Sequence, residues 1–191
     1  MSQPMVVGHD AQRPSMLGVG TMVWLASELM FFSGLFAAWY TLRAASDAWP
    51  PAGVELDTAR ALAFTVVLVA SSGTYQLAVR AAEAGDVRRA RRLVVCTMVL
   101  AVVFVANQAA EWSGLDFSAS SHAYGSAFYL LTGFHGLHVI GGVLAMGGLL
   151  TRLSGPGRDP AAVPVVQVVG YYWHFVDVVW IAVFATVFVL R

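Results

Sequence analysis

Apolar residues run along this chain in five long blocks separated by short polar or turn-rich segments. The first block spans Leu17 to Leu42 and is interrupted only by Glu28. Ala61 to Val79, Leu93 to Ala110 and Ala123 to Thr151 follow, and none of the three holds an Asp, Glu, Lys or Arg. The last, Val165 to Leu190, is broken only by His174 and Asp177. Each block is at or near the roughly 20 apolar residues that an α-helix needs to cross a hydrocarbon core of about 30 Å. The predicted fold class is all-α, a polytopic membrane bundle of five transmembrane helices over about residues 17–42, 61–79, 93–110, 123–151 and 165–190. Residues 1–16 read as a polar tail with Pro4, Gly8 and Pro14 and no apolar core, so no cleavable signal peptide is expected. Trp49-Pro50-Pro51 sets the first loop at interface depth, and Gly155-Pro156-Gly157 predicts a tight turn before the last helix. With no internal repeat and no separate soluble part, residues 1–191 read as one domain.

Composition sharpens this picture. The chain is 58% hydrophobic and 12% charged, against about 25% charged in soluble domains, which identifies an integral membrane protein. Its formal net charge is zero, so no nucleic-acid partner is expected. Cys96 stands alone, which excludes an internal disulfide and any two-thiolate metal centre. All the basic residues are Arg, and their distribution sets the orientation. The tail, second loop and fourth loop hold Arg13, Arg80, Arg88, Arg89, Arg91, Arg92, Arg152 and Arg158. The other side holds only Arg43, Arg60 and Arg191. The N-terminus is then cytoplasmic and the C-terminus external.

Candidate chemistry lies in the few ionisable groups inside the blocks. His135 and His138, in Thr132-Gly133-Phe134-His135-Gly136-Leu137-His138, are spaced i,i+3 and predicted to share a helix face among small residues. His174 and Asp177 are spaced the same way on the last helix, and Glu111 lies close to a helix end. A charged Asp at a helix centre costs near 3 kcal/mol on insertion scales, so such groups persist only when partnered or useful. Read as metal ligands, they fall short of the Glu and Glu-x-x-His sets of di-iron bundles. Read as structure, they hydrogen-bond across a helix seam. Haem would need a positioned axial ligand, and the glycine-rich surroundings of these histidines suit helix contact instead. Glu28 admits three roles: a proton-relay acid, a group facing a bound lipid, or a neutral carboxylic acid bonded to a neighbouring helix. Arg152 at the fourth helix end suits a lipid phosphate or ordinary charge placement.

Several of these stretches stand together in a familiar order. Ser27-Glu28-Leu29-Met30-Phe31-Phe32-Ser33-Gly34, Gln108-Ala109-Ala110-Glu111-Trp112, Tyr124-Gly125-Ser126 and the block from Thr132 to His138 precede Tyr172-Trp173-His174-Phe175-Val176-Asp177-Val178-Val179-Trp180. Over roughly residues 14 to 190 the chain resembles subunit III of haem–copper cytochrome c oxidases, in a five-helix bacterial form. The resemblance implies a subunit without metal, catalytic residue or redox centre of its own, with haem and copper held by partner subunits I and II. It implies a multi-pass protein of the bacterial cell membrane that packs on subunit I and supports proton uptake. It also implies bound phospholipid, and it is compatible with small accessory subunits and a larger respiratory supercomplex, membership of which the sequence leaves open. By motif, Glu28 and Arg152 match the family's lipid-cleft glutamate and headgroup arginine. Glu111, His135, His138, His174 and Asp177 match its polar seam residues.

The chain departs from the larger members in lacking two leading helices, which form one wall of the lipid cleft in the seven-helix form. Many members also carry a Trp shortly after the Glu28 block, where Ala37 stands here and Trp39 follows. A same-fold subunit of a quinol oxidase or nitric oxide reductase is the nearest alternative. A stand-alone membrane di-metal oxidase built from the histidines and Glu111 is the distant one.

Overall fold

A computed structural model of the chain describes residues 16–154 and 162–190. Its elements are α1 (Met16–Ala44), α2 (Thr58–Glu83), α3 (Val87–Ser113), α4 (Ala123–Leu153) and α5 (Ala162–Phe184), the last running on into a π-helical turn over Ala185–Val189. All five, α5 counted with that turn, are long and apolar enough to cross a membrane. The chain is an all-α, multi-pass membrane bundle. The polar tail, the Gly155-Pro156-Gly157 turn and Arg13, Arg158 and Arg191 lie outside the described residues.

The helices reach beyond the apolar blocks that nucleate them. Arg80 closes α2, and Arg88, Arg89, Arg91 and Arg92 lie in the opening turns of α3, leaving only residues 84–86 as the turn between them. Arginine is a good helix former, so charge at the membrane boundary extends a helix. What ends α2 is Gly85, whose φ of +77° belongs to the left-handed region open to glycine. Its N–H donates to Ala82 O and that of Asp86 donates to Ala81 O. Asp86 then caps α3 by accepting from the Arg89 N–H at 3.0 Å, as Asp57 caps α2 through Arg60 N–H at 2.9 Å. His122 caps α4, its Nδ1 accepting from the Gly125 N–H at 2.8 Å.

α2 and α3 form a tight antiparallel hairpin, and α2 also packs on α5. α4 touches α1, α3 and α5, so α4 and α5 make the centre of the bundle, and among the described helices α1 packs chiefly on those two. The spacing within α1 explains how. Leu25, Phe32 and Trp39 recur every seven residues and are buried, whereas Met22, Val23 and Met30 are exposed. One narrow stripe faces the bundle, as in a coiled-coil seam. Between helices in lipid, close packing and hydrogen bonds supply the attraction. Trp173 shows both. Its ring lies where a Cβ at Gly142 would come within 2.6 Å, and its indole N–H donates to Ser71 Oγ at 3.1 Å. Trp180 likewise donates to Thr65 Oγ1 at 2.9 Å. At the end of the bundle where α4 begins, Trp39, Trp49 and Tyr124 form a ring cluster with centroids 5.0 to 5.2 Å apart.

Candidate functional site

The intramembrane polar residues do not converge on one point. They sort into two seams. In the first, between α1 and α4, Glu28 Oε2 lies 3.1 Å from His138 Nε2. The other ring nitrogen, Nδ1, is 2.7 Å from Phe134 O, one turn back on the same helix. A carbonyl oxygen only accepts, so Nδ1 carries a proton. Nε2 then either accepts from a protonated Glu28 or, on an imidazolium, donates to a carboxylate. In both forms one proton lies between the two side chains and the pair is neutral, which suits membrane depth. Phe32 meets the ring edge-on at 5.0 Å, and Tyr172 of α5 donates its hydroxyl to His138 O at 2.8 Å. Three helices therefore meet at His138.

The second seam lies between α2 and α5. His174 and Asp177, one turn apart, both reach Ser72. Ser72 Oγ hydrogen-bonds Asp177 Oδ2 and lies 2.8 Å from His174 Nδ1, while His174 Nε2 is 3.1 Å from Gln76 Oε1. With a carbonyl oxygen facing Nε2, that nitrogen donates. The chain Asp177–Ser72–His174 then shares one further proton, held at the carboxylate or at the imidazole, so this set is neutral too. Tyr75 fastens the same two helices by donating to Val166 O at 3.0 Å. Nearer the hairpin turn Gln167 donates to Glu83 Oε1 at 2.7 Å.

His135 departs from the expected shared face. Three residues turn an α-helix by about 300°, which leaves His135 and His138 about 60° apart. Because α4 is central, that angle suffices to send them to different neighbours. His138 meets α1, while His135 is fully buried between Trp180 of α5, at a 4.7 Å centroid distance, and Phe104 of α3, at 6.0 Å. Neither ring nitrogen of His135 has a hydrogen-bond partner among the described residues, so its hold on the seam is ring packing.

Glu111 is buried in the last turns of α3, where Arg60 Nε donates to Asn107 Oδ1 at 2.6 Å. Arg152 stands exposed in the last turn of α4, where a cation complements the helix dipole. Fourteen residues separate it from His138, about 21 Å along the axis. Among the described residues no three His, Cys, Asp or Glu side chains are grouped so that they could hold a metal ion. The partners Ser72, Gln76 and Tyr172 escaped the sequence reading. Ser71, Ser72 and Gln76 inside the second apolar block were the available signal.

This arrangement can tie helices together and store protons in neutral pairs. Comparison with known proteins adds what the geometry leaves open. A family model described as cytochrome c oxidase subunit III matches residues 5–190. Over 187 residues the chain is 51% identical to the probable cytochrome c oxidase subunit 3 of Nocardia farcinica, covering 96% of this chain and 92% of that one. It is 50% identical, with the same coverage, to the probable cytochrome c oxidase subunit 3 of Mycobacterium tuberculosis. Cytochrome c oxidase subunit 3 of Thermostichus vulcanus is 35% identical over 185 residues, 96% of this chain and 92% of its own.

Proposed function

The chain belongs to the cytochrome c oxidase subunit III family, and we propose from that premise that it is a structural and modulatory subunit of a proton-pumping oxidase, without a redox or catalytic centre of its own. It packs on subunit I, which with subunit II holds the haem and copper. It sits in the bacterial plasma membrane with its N-terminus cytoplasmic and its C-terminus external. The observation that carries the reading is where these intramembrane acids and imidazoles go. Glu28 is joined to His138, and Asp177 to Ser72 and His174, as helix-to-helix links. Groups spent in this way hold spans in register, and electron transfer is left to neighbouring chains.

Glu28 and Arg152 are assigned to lipid. Arg152 binds the phosphate of a phospholipid whose chains descend along α4 toward the Glu28–His138 level. Bound there, lipid and subunit together keep the proton-uptake side of subunit I ordered during turnover. The test is to purify the assembly through this chain from its native membrane and compare it with an assembly lacking it. The reading expects haem and copper in the partner chains, cytochrome c as electron donor, and progressive loss of activity during turnover when this chain is missing. Iron or copper bound one-to-one to this chain when isolated would contradict it. Oxidation of a quinol but not cytochrome c, or reduction of nitric oxide, would move the chain to a different oxidoreductase.

A further inference from the structure

The seam between α2 and α5 does not close evenly along its length. Toward the α2–α3 hairpin the two helices leave a cleft of about 150 Å³, and its described wall residues all belong to one or the other. Gln76 and Glu83 line it from α2, and Gln167, Tyr171 and His174 from α5, with only Val79 and Gly170 between them. A water's share of the liquid is about 30 Å³, so the cleft has room for about five. Its inner end is the contact of His174 Nε2 with Gln76 Oε1 at 3.1 Å, and its mouth is the contact of Gln167 with Glu83 at 2.7 Å. On each helix these ends lie two turns apart, about 10.5 Å at 1.5 Å per residue.

The walls call for water. Gln76 stands inside an apolar block and is nevertheless exposed. Its carbonyl faces His174, but its amide nitrogen has no protein partner among the described residues, and neither has the carbonyl oxygen of Gln167. A bare amide is costly in hydrocarbon, whereas groups of this kind are what an internal water bonds to. In the other direction the seam is sealed. Asp177 is 5% exposed, and one turn beyond it Trp180 is buried with Leu68 and gives its N–H to Thr65. The polar run therefore leads one way, to the hairpin.

We propose that the α2–α5 cleft holds a file of waters that joins the shared proton of Asp177, Ser72 and His174 to the aqueous phase at the hairpin end. About three waters, spaced at the usual O–H···O distance of about 2.8 Å, cover the length of the cleft. The proton leaves in two moves. With Asp177 protonated, its proton passes to Ser72 Oγ while the Ser72 proton passes to His174 Nδ1, which gives a carboxylate and an imidazolium. The exposed Gln76 carbonyl then turns aside, the Nε2 proton goes to the first water, and the file delivers a proton to the Glu83 carboxylate. Left behind are the Asp177 carboxylate and a neutral imidazole protonated on Nδ1, and uptake runs the same steps in reverse. No other charged side chain among the described residues lines the cleft. α3 meets α2 elsewhere, at Thr74 and Thr97, while α1 and α4 meet α5 at Tyr172 and Trp173. The inference uses the geometry of the seam alone and stands apart from the modulatory role proposed above.

The experiment follows the exchange of the histidine Cε1 hydrogens for deuterium in heavy water, residue by residue, by peptide mass spectrometry. The intact assembly is used, in phosphatidylcholine nanodiscs. His135, sealed between rings, is the internal standard for a histidine without water. His174 should exchange at least about tenfold faster than His135, and any smaller margin overturns the proposal, because lipid or a partner chain then covers the cleft. Gln167→Leu makes the mouth apolar and should slow His174 by about tenfold while leaving His138 unchanged. If that variant fails to assemble, Glu83→Leu at the end of α2 does the same task. A His174 rate that survives the variant unchanged shows water arriving by another route and overturns the path. Asp177→Asn, which takes no proton, should displace the pH profile of the His174 rate. An unchanged profile would show His174 titrating alone and would overturn the shared proton.

Discussion

At Glu28 and His138 the proton count matters more than the charge. With His138 Nδ1–H given to Phe134 O, Nε2 needs a donor, and a protonated carboxyl or an amide can supply one equally well. Glu28→Gln should therefore leave the thermal midpoint of the purified complex close to that of the parent. Glu28→Leu should lower stability by about 1–3 kcal/mol by leaving Nε2 unpaired. A large loss for the Gln variant would show an ionised pair instead. Gly142 is the sharpest steric point. Trp173 carbons lie 2.6 and 2.7 Å from the position of an added Cβ and the ring is itself fully buried, so Gly142→Ala forces α4 and α5 apart. Loss of assembled protein from the membrane fraction is the expected readout.

Elements are held by short-range rules that the sequence carries openly and by partnerships that it does not. Replacing Asp86 with Ala removes the cap of α3 and should cost about 1 kcal/mol, read as faster hydrogen exchange in the turns that follow. Asp177→Ala unlinks α2 from α5 at Ser72 and should cost about 1–3 kcal/mol in detergent. An unchanged midpoint would argue against a buried linking role. Five apolar blocks are legible because length and hydropathy are local properties. The extent of α2 and α3 was not, because arginines that mark a boundary by charge also favour helix. Nor were the partners of the polar groups. Periodicity gives the face of a residue to within about a sixth of a turn, and around a central helix that angle separates α1 from α5. His135 and His138 therefore look like one pair in the sequence and are two contacts in space.

For the whole molecule, α1 is the revealing element. It is anchored mainly along one stripe, and several of its large apolar side chains, among them Met22, Val23, Leu29 and Met30, face away from the bundle. A helix so sparsely held by its own chain is well suited to meet lipid or another subunit on its outer face. Arg152→Gln should reduce the phospholipid retained by the purified assembly while leaving its subunit composition intact, as measured by native mass spectrometry. The central claim is that this chain stabilises a larger oxidase while electrons pass elsewhere. The most direct measurement is metal content and visible spectrum, resolved by subunit, on the assembly purified through this chain. The account predicts haem and copper in companion polypeptides and none bound to this one. A metal-bearing chain, active alone in its native bilayer, would contradict it.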